Sequence, residues 1–284
     1  MNKIKIITDE SAILPKAMLE KYEVGLVSLK IIWGEEEIRD DLFQKMRSTL
    51  SDTAPKTSQP SVGDFKKAYE EAFKEHNEII CLTLSSALSG TYNSALQAIK
   101  FLPKEKQDRI TLIDTFTVDS AHGLILLKVC ELREAGFNVK EIVSKIEEFK
   151  ENLDALGFAG DPKWLEKNGR LSKAGANIIR QVSKLGVRPL LTIKEGKVAV
   201  TSIKLKAKDK TEAILRELKE RIGDKEAVVA ITHGDALKTA LVLKEKLSPN
   251  MEVLFIEEIT PVIGCHLGPD GIICSYFLKE NDVL

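Results

Sequence analysis

A strand-to-helix turn in the first third of the chain constrains the fold most strongly. Ile79–Leu84 is an almost wholly apolar run, which is typical of a strand buried on both faces of a parallel sheet. Apolar residues then recur at helical spacing from Ala95 to Leu102. The segment between them, Ser85–Thr91, is rich in hydroxyls. Such a turn is either an anion site at the carboxyl end of a strand or an ordinary N-capped helix start.

The remaining patterns predict an α/β fold with two domains. Up to about residue 152, strand and helix patterns alternate, which indicates βαβ units and a mostly parallel, Rossmann-like sheet. Farther on, the turn Glu195-Gly196 between two strand patterns indicates a hairpin, and therefore an α+β domain with a mixed or antiparallel sheet. For 284 residues, we predict an N-terminal domain over residues 1–153 and a C-terminal domain over residues 154–284.

Charge and composition narrow the classes of partner. The chain has 42 basic and 43 acidic residues, a balance that argues against nucleic acid or an anionic membrane as the main partner. No apolar run reaches membrane-spanning length and the N-terminus lacks a signal-peptide pattern, so we expect a cytoplasmic protein without stable membrane insertion. The cysteines and histidines are scattered without metal-ligand spacing, which predicts no metal site.

The polar residues leave catalysis and binding open as alternatives. Asp9 and Asp114 each follow a predicted strand, where they are either acid–base catalysts or turn residues. Arg170 is either a solvated surface charge or a contact for an anion. His266 lies in a segment predicted to be a loop, where an exposed histidine commonly has no functional role. The predicted crevice is rich in hydroxyls and poor in bases, which favours holding an acidic group. The alternative is a serine-type acyl hydrolase or a phosphate-handling α/β enzyme that uses Ser89.

Short motifs along almost the whole chain resemble one family. In order they are TDES at 8–11, TSQPS at 57–61, LSSALSGTY at 84–92, DT at 114–115, NGR at 168–170, RPLL at 188–191 and HLGP at 266–269. Their joint order resembles the DegV family of bacterial fatty-acid-binding proteins. Glu10, Asn168 and Asp270 depart from the family's pattern, which affects the expected geometry of their loops.

The resemblance implies a fold and a ligand site. It implies a two-domain α/β protein with one long-chain fatty acid buried in an apolar tunnel, the C-terminal domain covering the acyl chain. It further implies that the hydroxyls of Thr57 and Ser89 hold the carboxylate. The residues expected to support the carboxylate, a phosphate or partner docking are Ser58, Ser86, Gly90, Thr91, Arg170 and His266.

The resemblance also implies a partner. Members similar to this chain are acyl-carrying subunits of a fatty acid kinase, in which a separate kinase protein phosphorylates the bound carboxylate to an acyl phosphate. We therefore expect a protein that is not itself an enzyme, with no catalytic residue and no cofactor. Its expected partners are the fatty acid and the kinase.

Elementary energetics agree with a lipid ligand. Each buried methylene contributes about 0.8 kcal/mol, so a dozen contribute on the order of 10 kcal/mol before the costs of association. A hydrogen bond to the charged carboxylate adds roughly 1.5–3 kcal/mol. The acyl tail is therefore expected to set the affinity, while Thr57 and Ser89 set which end of the ligand is presented.

Overall fold

The computed structural model describes residues 3–38, 40–49, 53–185, 188–204 and 207–279. Contacts between residues divide the chain into two compact units. The first contains the described residues of 1–30 and 57–151, and the second those of 31–56 and 152–284. The predicted boundary near residue 153 lies beside the later division, whereas the sequence gives no sign that residues 31–56 join the second unit.

The chain alternates strands and helices throughout. The strands are β1 (Ile4–Asp9), β2 (Gly25–Val27), β3 (Lys30–Trp33), β4 (Glu36–Glu37), β5 (Lys56–Ser58), β6 (Glu78–Thr83), β7 (Ile110–Asp114), β8 (Leu153–Phe158), β9 (Arg188–Lys194), β10 (Lys197–Lys204), β11 (Ala227–His233), β12 (Met251–Glu258) and β13 (Ile272–Leu278). The helices are α1 (Lys16–Lys21), α2 (Leu42–Ser48), α3 (Val62–Ala72), α4 (Thr91–Lys100), α5 (Lys104–Gln107), α6 (Asp119–Glu134), α7 (Val139–Glu151), α8 (Pro162–Lys167), α9 (Lys173–Lys184), α10 (Lys210–Ile222), α11 (Leu237–Lys246) and α12 (Pro261–Leu267).

The first unit is built on a parallel sheet of order β2-β1-β6-β7. Helices α3 and α4 cover one face of this sheet, where Phe65 and Tyr69 pack with Cys81 and Ala95 in a buried core. Strand β6 is an almost continuous apolar run, because both faces of this central strand are buried. The parallel sheet predicted for the N-terminal half is therefore confirmed. Its strands β1, β6 and β7 end at one edge, and their terminal residues lead into the polar loops predicted to bind a ligand.

The second unit contains a six-stranded sheet of order β10-β9-β8-β13-β11-β12. Its pairs are antiparallel except β11 with β12, so the predicted mixed sheet is confirmed. Glu195 and Gly196 both have positive φ, 50° and 74°, which is the geometry of the predicted hairpin turn between β9 and β10. Leu205, predicted to end the second hairpin strand, lies outside the described residues. In the part of the chain that is described, no helix is long and apolar enough to cross a membrane.

A partly buried ionic network ties α10 to the sheet of the second unit. Arg221 donates from Nε to Oε1 of Glu217 over 2.7 Å, and its other nitrogens contact Asp154 and Thr201. The hydroxyl of Tyr276 donates to Asp154 over 3.4 Å, and burial raises the pKa of Tyr276 to about 12. The Glu217 side chain is only 7% exposed, so its charge depends on Arg221 for compensation.

Replacing Arg221 with alanine is expected to lower the free energy of unfolding by about 2–3 kcal/mol, because Glu217 then stays buried without its cation. Urea titration monitored by circular dichroism measures this loss. The matched control is Arg216→Ala on the same helix, which removes a pair with Glu212 from an exposed arginine and should change stability little. Similar small losses in both variants would contradict the assigned role of the network.

Candidate functional site

The loop between β6 and α4 brings Ser89 and Thr91 together. The amide of Ser89 donates to the carbonyl oxygen of Ser85 over 3.1 Å, which folds the loop into a turn before the helix begins. Oγ of Ser89 lies 2.9 Å from Oγ1 of Thr91 and also accepts the Thr91 amide over 3.3 Å. Thr91 is fully buried, Ser89 is half-buried and Ser86 is exposed. Ser89 is thus a partly accessible hydroxyl on a hydrogen-bonded turn.

The loop that follows β5 packs against this turn through Gln59. Nε2 of Gln59 donates to Oγ of Ser94 in α4 over 2.9 Å. A Cβ at position 90 would lie 2.0 Å from Oε1 of Gln59, so Gly90 leaves the space that the amide group occupies. Thr57 is half-buried and Ser58 exposed in β5, directly before Gln59. Gln59 lies in the TSQPS motif, but the sequence assigned it no role, because its contact with Ser94 forms only in the folded chain.

Asp9 and Asp114 bind backbone amides. Oδ2 of Asp9 accepts the amide of Leu84 over 2.8 Å, and Oδ2 of Asp114 accepts the amide of Ser86 over 3.2 Å. Of the two interpretations left open by the sequence, these contacts match the turn residue. Both carboxylates act on the loop that carries Ser89.

A buried histidine lies behind the end of β1. Nε2 of His122 is 3.0 Å from Oγ1 of Thr8, and Nδ1 is 3.2 Å from Oγ of Ser11. All three side chains are fully buried, and burial lowers the pKa of His122. Both ring nitrogens of His122 thus contact a hydroxyl, and burial favours the neutral form of the ring. Nothing in the helical pattern around His122 distinguishes it from a core residue, which is why the sequence did not single it out.

Ser89 has no histidine partner within the described residues of the first unit. His122 is occupied by Thr8 and Ser11, and Nδ1 of His76 lies 3.2 Å from the carbonyl oxygen of Ala72. A nucleophilic serine needs an adjacent base that a third group orients. Within this unit, the side chain of Ser89 instead contacts Thr91. Among the residues described, no group of three or more His, Cys, Asp or Glu side chains is arranged to hold a metal ion.

In the second unit, the turn after α8 is joined to α12. The side chain of Asn168 donates from Nδ2 to the carbonyl oxygen of Cys265 over 3.1 Å, and Nη1 of Arg170 donates to the carbonyl oxygen of Asn168 over 2.6 Å. His266 lies in helix α12, so the prediction of a loop at this residue was wrong. Pro261 at the first helical position starts the helix despite the nearby glycines. The structure thus places Arg170 and His266 in one region of this unit.

His266 is neutral in the folded protein. Burial, and next the charge of Arg170, lower its pKa to about 3. In the unfolded chain, a histidine has a pKa of about 6.5. Below that pH the unfolded state binds a proton that the folded state does not, so this group destabilises the fold progressively as the pH falls.

We expect His266→Gln to weaken the dependence of unfolding free energy on pH between about pH 6.5 and about pH 5, because one proton-binding difference is removed. Urea titrations of both proteins across this range measure the slope. Some slope persists in the variant, because burial also lowers the pKa of His122 and His233. An unchanged slope would show that His266 is not held neutral by the fold.

A cavity of about 670 Å³ opens in the second unit. Its volume lies in the range of small-molecule sites, roughly 300–1,000 Å³. Basic side chains, Arg180 and Lys210 among them, stand around it. Its apolar lining comprises Phe158, Ala159, Pro162, Ile179, Pro189 and Leu191. Because these residues come from β8, α8, α9 and β9 and the loop after β8, no single sequence motif marks the cavity.

Fold and site together define a class: a two-unit α/β protein with a hydroxyl-rich loop at the edge of a parallel sheet. The sequence model of a family described as "Uncharacterised protein, DegV family" matches residues 3–278. A DegV domain-containing protein of Clostridium acetobutylicum is 30% identical over 288 residues, which cover 99% of this chain and 100% of the relative. The chain therefore belongs to the DegV family.

Solved structures show the same fold. A DegV lipid-binding protein from Thermotoga maritima superposes with a TM-score of 0.84 at 27% identity, covering 99% of this chain and 100% of that one. A DegV family protein from Thermus thermophilus, described by its fatty acid binding, has a TM-score of 0.84 at 26% identity and covers 98% of this chain and 100% of its own.

Proposed function

We propose that this protein binds a long-chain fatty acid whose carboxylate accepts hydrogen bonds from Thr57 and Ser89. The observation that carries the proposal is the hydroxyl pair of Ser89 and Thr91 on a hydrogen-bonded turn, without a histidine partner in the described first unit. The lipid- and fatty-acid-binding relatives support the same ligand class.

The local bonds suit Ser89 to this role. A serine hydroxyl has one proton to donate and two lone pairs that accept. Oγ of Ser89 already accepts the Thr91 amide, and this bond leaves its proton available for a carboxylate in place of the Thr91 hydroxyl. Gly90 supports the geometry by leaving room for Gln59, while Ser58 and Ser86 offer exposed hydroxyls beside it.

The cavity of the second unit is proposed to take the acyl chain. Its lining of aliphatic, proline and phenylalanine side chains gives methylene groups an apolar surface, worth about 0.8 kcal/mol for each one buried. Four basic side chains stand around it against two acidic ones, Asp161 and Asp209, and this balance favours an acid over a neutral lipid. In this proposal, the hydroxyls of Thr57 and Ser89 select the head group, and the buried methylenes supply most of the affinity.

Titration of the delipidated protein with oleate and palmitate tests the function. We expect saturable binding of one fatty acid per chain, with weaker binding of decanoate because fewer methylenes are buried. Absence of saturable binding for both long-chain acids would refute the proposal. Hydrolysis of an acyl ester by the isolated protein, abolished in Ser89→Ala, would instead establish the serine hydrolase alternative.

We further propose that an ATP-dependent kinase phosphorylates the bound carboxylate. A carboxylate oxygen would take the γ-phosphoryl group of ATP and release ADP, giving an acyl phosphate. Arg170 supplies a fixed positive charge, and the neutral His266 can donate a hydrogen bond without carrying charge. Both properties suit a site that must accept a growing negative charge.

Arg170→Ala and His266→Ala are each expected to keep oleate binding while losing acyl-phosphate formation with the kinase. The reason is that the acyl chain supplies most of the binding energy, whereas these side chains act on the phosphorylated head group. Oleate titration and hydroxamate trapping of the acyl phosphate measure the two properties separately. Normal turnover in both variants would remove these residues from the functional site.

A further inference from the structure

The strand that leads to Ser89 lies between two strands that each end in an aspartate. In the order β2-β1-β6-β7, β6 has β1 on one side and β7 on the other. Asp9 ends β1 and accepts the amide of Leu84 over 2.8 Å. Asp114 ends β7 and accepts the amide of Ser86 over 3.2 Å to Oδ2 and 3.3 Å to Oδ1. The loop is thus held by hydrogen bonds to both neighbouring strands.

Further hydrogen bonds connect the residues held by the two aspartates to Ser89. Ser85 lies between Leu84 and Ser86, and its amide donates to the carbonyl oxygen of Thr117 over 2.9 Å. Ser85 in turn accepts the amides of Leu88 and Ser89 at its carbonyl oxygen, over 3.0 and 3.1 Å. Its hydroxyl accepts the amide of Ala87 over 3.2 Å. The orientation of Ser89 therefore depends on how the residues from 84 to 86 are held.

Each aspartate also fixes its own turn. Oδ1 of Asp9 accepts the amide of Ser11 over 3.0 Å. Oδ1 of Asp114 accepts the amide of Phe116 over 2.9 Å. Phe116 has φ of 52°, a left-handed conformation that is unfavourable for an aromatic residue and persists only when its surroundings impose it. In each aspartate, Oδ1 accepts an amide of its own turn and Oδ2 accepts an amide of the Ser89 loop, and Oδ1 of Asp114 also lies within reach of the Ser86 amide.

We propose that Asp9 and Asp114 are positioning residues that orient the Ser89 hydroxyl and make the site selective for a carboxylate head group. The proposal rests on the function proposed above. A hydroxyl held in place by its backbone gives a strong bond to a charged acceptor without a further ordering cost. An uncharged ester on the same acyl chain gains much less from this arrangement, because its carbonyl forms weaker hydrogen bonds.

Binding of oleate and of methyl oleate tests this selectivity. Asp114 is the residue to replace, because it is half-buried, whereas Asp9 is fully buried and its loss threatens folding. Asp114→Ala is expected to weaken oleate binding about tenfold, the loss of one charge-assisted bond, and to change methyl oleate binding less than about twofold. Asp114→Asn keeps one acceptor oxygen and should lie between wild type and Asp114→Ala. The control Asp108→Ala removes an exposed carboxylate paired with Lys104 in the same unit and should match wild type.

Hydrogen exchange of the ligand-free protein tests the positioning role separately. The amides from 84 to 89 are expected to exchange at least about tenfold faster in Asp114→Ala than in wild type, with no such change in Asp108→Ala. If wild type fails to bind oleate, the proposed function falls while accelerated exchange still supports the anchoring role. Unchanged exchange, or equal weakening of oleate and methyl oleate binding, would overturn the inference.

Discussion

Ala159→Trp is expected to reduce palmitate affinity at least about a thousandfold, because the indole fills the cavity of the second unit. Ala159 is 8% exposed and lines the apolar part of this cavity. Displacing six methylenes from apolar contact costs about 5 kcal/mol, and each 1.4 kcal/mol changes affinity about tenfold. Titration of the delipidated variant with palmitate measures the effect.

Two further variants make this test specific. Val200→Trp adds the same bulk at an exposed position of β10 in the same unit and is expected to bind palmitate normally. Ala159→Leu fills less of the cavity and should weaken palmitate binding more than decanoate binding, because only the longer chain needs the whole space. Wild-type affinity in Ala159→Trp would show that the acyl chain lies elsewhere.

The double variant Thr57→Ala/Ser89→Ala is expected to weaken oleate binding between about a hundredfold and about ten-thousandfold. Each hydroxyl contributes roughly 1.5–3 kcal/mol to a charged acceptor, and the two losses act on one carboxylate. Each single variant should lose about tenfold or more. Fluorescence displacement of a bound fatty acid probe measures all three affinities.

Ser48→Ala is the matched control for the hydroxyl variants. Ser48 is exposed at the end of α2, where its hydroxyl donates only to the carbonyl oxygen of Lys45 over 3.2 Å. Its loss should leave oleate affinity unchanged. Equal affinities of wild type and the double variant would contradict the assignment of the carboxylate to Thr57 and Ser89.

Apolar runs predicted the parallel sheet, because burial on both faces of a strand leaves a direct mark on its sequence, and the turn Glu195-Gly196 predicted the hairpin of the mixed sheet. The assignment of residues 31–56 to the second unit left no such mark. There Arg47 in α2 donates from Nη1 to Asp270 over 2.8 Å and from Nε to Asp235 over 3.0 Å. These pairs join residues about two hundred positions apart, and exposed charges have no periodicity that would reveal their partners.

The sequence predicted features of the site only where a residue type itself favours one local geometry. Ser61 with Asp64 three residues later is an imperfect capping-box pattern, because Glu or Gln is preferred at the later position, and the structure forms both bonds of the box. Asp9 was ambiguous, because a carboxylate after a strand serves equally as a catalyst or as an acceptor for backbone amides. Gln59 and His122 act through contacts with distant segments, the first on Ser94 and the second on Thr8 and Ser11. Such contacts exist only once the fold has formed.

Mass spectrometry of an organic-solvent extract of the purified protein tests the central claim most directly. Because buried methylenes make dissociation unfavourable, the protein is expected to carry a long-chain fatty acid through purification. The extract should contain such acids at close to one molecule per chain, and the Ala159→Trp protein should yield almost none. Repeated absence of any fatty acid from the wild-type extract, together with no uptake of added oleate or palmitate, would contradict the account.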